Sequence, residues 1–215
     1  MTPESVATPD GFLLVLALVV PMAGVLAAFT LGGRHAERAV LLALPAGLGV
    51  ATAIAVRVAR SEGALVYALG AWSPPLGVAL RADGVAAALL LTTAIVIGVA
   101  ALFARAEFGT APGELEARSS LSFWTFLLAV WAALNAAFLG ADLFNLFVAL
   151  ELLTFAAVPL VSLGGSAATL QAALRYLLFA LLGSVLYLLG VGLLYGAYGT
   201  LDIALLAGRV RPEPV

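Results

Sequence analysis

The sequence predicts an all-α integral membrane protein of about six transmembrane helices, with a short surface hairpin between helices 2 and 3. Three observations carry that fold class. Of 215 residues, 64% are hydrophobic and 10% charged, against roughly 25% charged in soluble globular chains. Mean hydropathy is +1.15. Apolar runs of about twenty residues, long enough to cross about 30 Å of hydrocarbon, recur along the whole length and leave no stretch for a soluble domain of ordinary size.

With Pro, Gly and charge clusters as punctuation, the runs fall at about 11–32, 38–58, 83–104, 119–140, 142–163 and 168–197. The first, preceded by "MTPESVATPD", has Glu4 and Asp10 but no basic residue before it. A cleavable signal peptide wants a positive start and a shorter core, so this run is expected to be the first spanning helix. "GGRHAER" is a tight connector that makes helices 1 and 2 antiparallel neighbours. "ALVYALGAWSPPLGVALRADG", residues 64–84, is too broken by Pro74, Pro75 and Gly77 to span. Its alternating flanks and turn-rich centre predict a hairpin at the membrane surface, with Trp72 in the interfacial belt.

"RAEFGTAPGELEAR", residues 105–118, is expected to be an aqueous loop, with Ser119 as N-cap of helix 4. Helices 4 and 5 are joined almost directly, and Asp142 is placed to cap helix 5 and to favour its dipole. "SLGGSAAT" turns the chain into helix 6. The tail "DIALLAGRVRPEPV" is polar enough to leave the membrane. Arginines divide almost evenly between the two sides, so the positive-inside rule does not orient the chain.

Composition excludes several functions. Cys is absent and the only His is His35, in a connector, so the chain by itself offers no disulfide, no thiolate or iron–sulfur ligation, and no nucleophile–His–acid set. All ten basic residues are Arg, and a net charge of -2 offers no basic surface for nucleic acid. "GVGLLYG" lacks the spacing, preceding strand and aqueous setting of a nucleotide fingerprint. No metal or cofactor is expected.

The chemistry concentrates in helix 5. Glu151 lies nine residues after Asp142, about 13 Å along the helix and near the membrane midplane. A carboxylate there costs roughly 2.5–3.5 kcal/mol by insertion scales for Asp, so such residues face a bundle interior or a water-filled path. Two readings stand: a titrating carrier, or a protonated packing clip. Arg175, in "LQAALRYLLFALLGSVLYLLG", is the second charge inside a helix, and it too has two readings: an electrostatic partner, or a side chain snorkelling to the near headgroups. Around the Gly164–Ser166 turn, Glu151 lies about 20 Å and Arg175 about 10 Å away, so the two are not directly opposite. Loss of water tightens a carboxylic acid's hold on its proton and an approaching guanidinium loosens it, so a change in separation can load or release one proton. Asn145, Thr154, Tyr176 and Ser184, with Asn135, Gln171 and Tyr187, are candidates to line a route or to pack helices. Gly192 and Gly196 form a GxxxG that argues close helix contact. Pro21 and Pro159 either shape packing or free carbonyls.

"NAAFLGADLFNLFVALELLTFAAVPLVSLGG" followed by "LQAALRYLLFALLGSVLYLLGVGLLYGAYGTLDIALLA" closely resembles the proton-conducting antiporter-like subunits shared by Mrp-type sodium/proton antiporters and respiratory complex I, the D-type Mrp subunit most of all. The resemblance implies the first part of a fold with about fourteen helices in two inverted repeats. It matches Glu151 to the family's fifth-helix glutamate and Arg175 to a sixth-helix position that is often Lys. It also implies a proton-translocating subunit partnered by other membrane subunits, coupled to sodium exchange or to redox chemistry, in a prokaryotic plasma membrane. By the same resemblance the seventh-helix lysine is missing, and the expectation is an N-terminal fragment. A structural membrane subunit and a quinone-reducing enzyme are the competing functions, the latter weakened by the absence of any redox ligand.

Overall fold

A computed structural model describes residues 8–32, 34–61, 63–72, 74, 77–109 and 117–210. Glu4, Pro75, the middle of the 105–118 connector and the end of the tail lie outside these described residues. Among the described residues, six helices are long and apolar enough to cross a membrane: α1 (Phe12–Leu31), α2 (Arg34–Arg60), α3 (Gly84–Phe108), α4 (Arg118–Leu139), α5 (Leu143–Val161) and α6 (Ala167–Tyr198). Charge does not end a helix. α2 begins at Arg34 and α3 continues to Phe108, so both extend past the charged residues that mark the edges of the apolar runs. Those overhangs meet, and Arg105 donates to Glu37 at 2.7 Å. Glu37 in the first turn of α2 and Arg105 in the last turn of α3 also complement the helix dipoles.

Strands β1 (Leu65–Ala68) and β2 (Ala79–Ala82) form the antiparallel hairpin, Leu65 opposite Ala82 and Ala68 opposite Ala79. It sits on the start of α1. Thr8 donates its N–H to the Val66 carbonyl at 2.9 Å, and Phe12 meets Tyr67 edge to face. A Cβ at Gly11 would lie 2.4 Å from the Val66 carbonyl oxygen, so only glycine permits this approach. Trp72 is exposed at the hairpin tip.

The core lies among α1, α2, α3 and α4, with Leu14, Ile54, Leu90, Leu128, Trp124 and Trp131 fully buried. Trp131 fits against α2 at Gly47, where a Cβ would stand 2.2 Å from the indole ring. A polar contact joins α1 to α4 across this core. Pro21 has no N–H to give to Ala17 four residues earlier, and Asn135 of α4 donates Nδ2–H to that freed carbonyl at 2.7 Å. The proline and the asparagine explain each other.

Helix ends are capped largely by Asp. Asp83 accepts from Val85 and Ala86, and Asp142 accepts from Asn145 at 2.8 Å, as its position predicts. Ser119 does not cap α4. Ala117 occupies the N-cap position and carries no side-chain acceptor, while Ser119 falls inside the first turn. Its neighbour Ser120 instead donates to the Phe108 carbonyl, which also accepts from Trp124 Nε1 at 3.0 Å, so the start of α4 satisfies the end of α3.

On the hairpin side the connections form a continuous seam. Leu80 pairs with Gly140, and Asp142 pairs with Asp202. Leu143 donates to Leu201 and Ile203 to Ala141, at 3.1 and 3.0 Å. Beyond this pairing the tail does not simply depart. Capped by Asp202, it folds into α7 (Ile203–Arg209), with Leu206 buried and Arg209 donating to the Tyr198 carbonyl at 2.6 Å. Both ends of the α5–α6 unit are thereby tied, at the seam and at the Ser162–Gly165 turn.

Candidate functional site at Glu151

Glu151 stands midway along α5, eight residues after Leu143 and ten before Val161. It is half-buried, and its Oε1 is buried with no hydrogen-bond partner among the described residues. The face it occupies follows from helical spacing. Phe147, one turn earlier, stacks on Tyr187 of α6, and Tyr187 donates to the Leu143 carbonyl at 3.0 Å. The Phe147–Glu151 face is therefore the α6-facing one. Ala149 and Ala156, buried on the other side of α5, let α4 approach.

α6 presents one stripe toward α5. Ala173, Leu177, Ala180, Ser184, Tyr187 and Val191 are buried or half-buried at alternating spacings of four and three, whereas most of the remaining surface is exposed. Antiparallel pairing through the Ser162–Gly165 turn and the Phe147–Tyr187 stack sets Glu151 level with about residues 177–183 of α6. Ser184 is the polar side chain of that stripe beside this level. Arg175 lies about 160° round the helix from the stripe and is exposed. Among the described residues the ion pairs are Arg57–Asp10 and Arg105–Glu37, and neither involves Glu151 or Arg175.

The other expected residues divide between these two surroundings. Asn145 bonds through its side chain to Asp142, inside the cap of α5. Thr154 donates back to the Leu150 carbonyl at 3.0 Å. Asn135 is committed to Ala17 in the core, apart from Glu151. Tyr176 is exposed beside the inner stripe, and Gln171 is exposed on the Arg175 side. A cavity of about 810 Å³ opens between the hairpin, the start of α3 and α7, with Arg81, Asp83 and Asp202 in its wall; Glu151 is not part of it. No pattern along the chain pointed to α7 or to the Ser120 and Trp124 contacts. The Pro21–Asn135 contact had a signal, an asparagine and a helix-interior proline, but nothing in the pattern says that the two meet.

What the arrangement can do chemically is hold one titratable oxygen, shielded and unpaired, between two membrane helices. Residues 140–210, which contain α5, α6 and α7, match the transmembrane family described as NADH:quinone oxidoreductase/Mrp antiporter. Over those residues the chain is similar to this family. It is 35% identical over 161 residues to the D-type subunit of the Na(+)/H(+) antiporter of Bacillus subtilis, covering 75% of this chain and 31% of that protein. It is 34% identical over 205 residues to the D-type subunit of a probable K(+)/H(+) antiporter of Rhizobium meliloti, covering 92% and 36%. In a solved Mrp complex from Dietzia sp. DQ12-45-1b, one chain superposes with a TM-score of 0.73 at 28% identity, covering 92% of this chain and 36% of its own length. A chain of the membrane-bound sulfane sulfur reductase, an archaeal respiratory membrane complex, superposes at 0.77 with 25% identity, covering 92% and 39%. The chain thus spans about a third of the length of the curated relatives it matches. It is a multi-pass membrane protein of the antiporter-like type, and both Glu151 and Arg175 fall inside the matched segment.

Proposed function

We propose that this chain is part of a proton-translocating subunit of a multisubunit cation/proton antiporter of the Mrp type, seated in a prokaryotic plasma membrane, with Glu151 as the intramembrane proton carrier. One observation carries the reading: the unpartnered, buried Oε1 of a glutamate at mid-helix. Structural carboxylates in membranes pair with neighbouring helices, whereas a carrier must be free to change partners. Ser184, at the same level on α6, is the side chain to which a proton or a linking water would pass. Thr154 and Asn145 line the approach along α5, and Tyr176 flanks it on α6. Arg175 acts on Glu151 through its field across the roughly 10 Å thickness of α6, in a medium without salt to screen it, rather than by direct pairing. Sodium or potassium exchange, named for the relatives, is the coupled movement.

Glu151→Gln keeps the size of the side chain and removes its titration. In everted vesicles carrying the full assembled complex, cation-driven proton movement should fall about a hundredfold or more, the range lost with a positioned acid–base group. Undiminished exchange with the complex assembled as before would refute the carrier role and leave Glu151 as a packing element.

A second reading, a proton-pumping subunit of a quinone-linked respiratory complex, is favoured by the superposition on a respiratory membrane complex. Proton movement in the same vesicles that requires an electron donor and ignores sodium and potassium would select it.

A further inference from the structure

We infer that one water molecule is bound inside the helix core, at the proline of α1, by Trp131 Nε1–H, Asn135 Oδ1 and the Ala17 carbonyl. Trp131 and Asn135 stand one turn apart on the same face of α4 and are 1% and 4% exposed. Each carries a buried polar atom with no hydrogen-bond partner among the described residues, the indole Nε1 of one and the amide Oδ1 of the other. The orientation of the amide is fixed by its neighbour. A carbonyl only accepts, so Nδ2 faces Ala17 and Oδ1 is the atom left over.

The register between α1 and α4 brings both atoms to Pro21. Asn135 meets Ala17. Leu128, seven residues earlier in α4, meets Gly24, seven residues later in α1, where a Cβ would stand 2.8 Å from Leu128 Cδ1. The helices are therefore antiparallel, and four residues along each from the first contact Trp131 is level with Pro21. The six-membered ring of Trp131 is the part that meets Gly47 of α2, which leaves its N–H set back from α2, on the side of α4 itself.

Pro21 is itself fully buried. It has no N–H for Ala17, and its ring holds the chain off the preceding turn, the kind of place where a water enters a helical hydrogen-bond ladder. The Ala17 carbonyl has two lone pairs, and Asn135 Nδ2 uses one of them. One donor and two acceptors are thus left to share a ligand. The indole N–H disfavours a cation and the two oxygens disfavour an anion, whereas water fits all three. Its oxygen accepts from Trp131 Nε1, and its two hydrogens go to Asn135 Oδ1 and to the second lone pair of Ala17. Three bonds are the usual complement of a buried water. Such a water is held at an entropic cost, which is recovered when Asn135 is removed.

The test is a cryo-electron microscopy map of the full-length protein in its complex, at a resolution that shows buried waters, for the wild type and for Trp131→Phe. The wild-type map should show an isolated peak within about 3.2 Å of Trp131 Nε1, Asn135 Oδ1 and the Ala17 oxygen. Trp131→Phe removes the donor and leaves extra apolar space, which stays dry, so the peak should lose most of its occupancy. A wild-type map that resolves other buried waters but none here would overturn the inference. So would Trp131 Nε1 donating directly to Asn135 Oδ1 or to a backbone carbonyl, or a peak undiminished in Trp131→Phe. The wild-type map decides by itself if the variant does not assemble. The readout is a position and not transport, so it stands or falls separately from the role of Glu151.

Discussion

Replacing Asn135 by Ala tests the polar contact that joins α1 to α4. Its Nδ2–H is bonded at 2.7 Å to the Ala17 carbonyl, and both the side chain and its surroundings are buried. Hydrogen bonds between membrane helices are worth about 0.6 kcal/mol on average and at most about 1.7. Here the loss is larger than for an ordinary pair, because Pro21 gives Ala17 no intrahelical donor, and an orphaned buried carbonyl costs about 1–3 kcal/mol. Against this, Asn135 Oδ1 has no partner among the described residues, so its removal relieves a penalty of similar kind. The expected net loss is about 1 kcal/mol, a fall in Tm of about 2–4 °C for a domain of this size. Intrinsic fluorescence of the purified membrane protein in detergent is a suitable probe, since Trp131 lies one turn from the substituted residue. The decisive comparison is the double-mutant cycle with Pro21→Ala, which restores an N–H to serve Ala17 from within α1. In that background Asn135→Ala should cost close to nothing or stabilise. Equal losses in the two backgrounds, additive within about 0.3 kcal/mol, would refute the account of the proline and the asparagine as one unit.

Gly47→Ala should destabilise by about 1–3 kcal/mol through overpacking against the Trp131 indole, seen as reduced thermal stability, and the smaller ring of Trp131→Phe should restore part of it. Asp142→Ala should cost about 1 kcal/mol as a lost N-cap, with faster amide exchange confined to the first turn of α5, because the Asn145 N–H and side chain both rest on that carboxylate. Tyr187→Phe should speed exchange at the same end of α5 by freeing the Leu143 carbonyl, while leaving the Phe147 ring contact in place.

Much of this fold is legible along the chain because a bilayer imposes a length and a polarity on each spanning helix, and both are local properties of sequence. The hairpin was legible for the same kind of reason, its turn residues being consecutive. The helix ends were less so. Charged residues at the start of α2 and the end of α3 continue as helix outside the apolar run, where backbone hydrogen bonding and a cross-helix ion pair sustain them. Ser119 fits the composition of a cap, yet the N-cap position falls two residues earlier, at Ala117.

Glu151 could be singled out from sequence alone, since a lone acid in an apolar helix stands out against the energetic cost of its position. The same is true of the six spans, of Asp142 as a cap, and of the lack of any thiolate in these 215 residues. Which neighbours Glu151 has was decided only in three dimensions. The rotation of α6 about its own axis, set by Tyr187 on α5 and by the packing of its inner stripe, places Ser184 on the α5-facing stripe and turns Arg175 to the opposite face. Hydropathy is almost uniform around α6, so no pattern along the chain specifies that rotation; the contacts with α5 do.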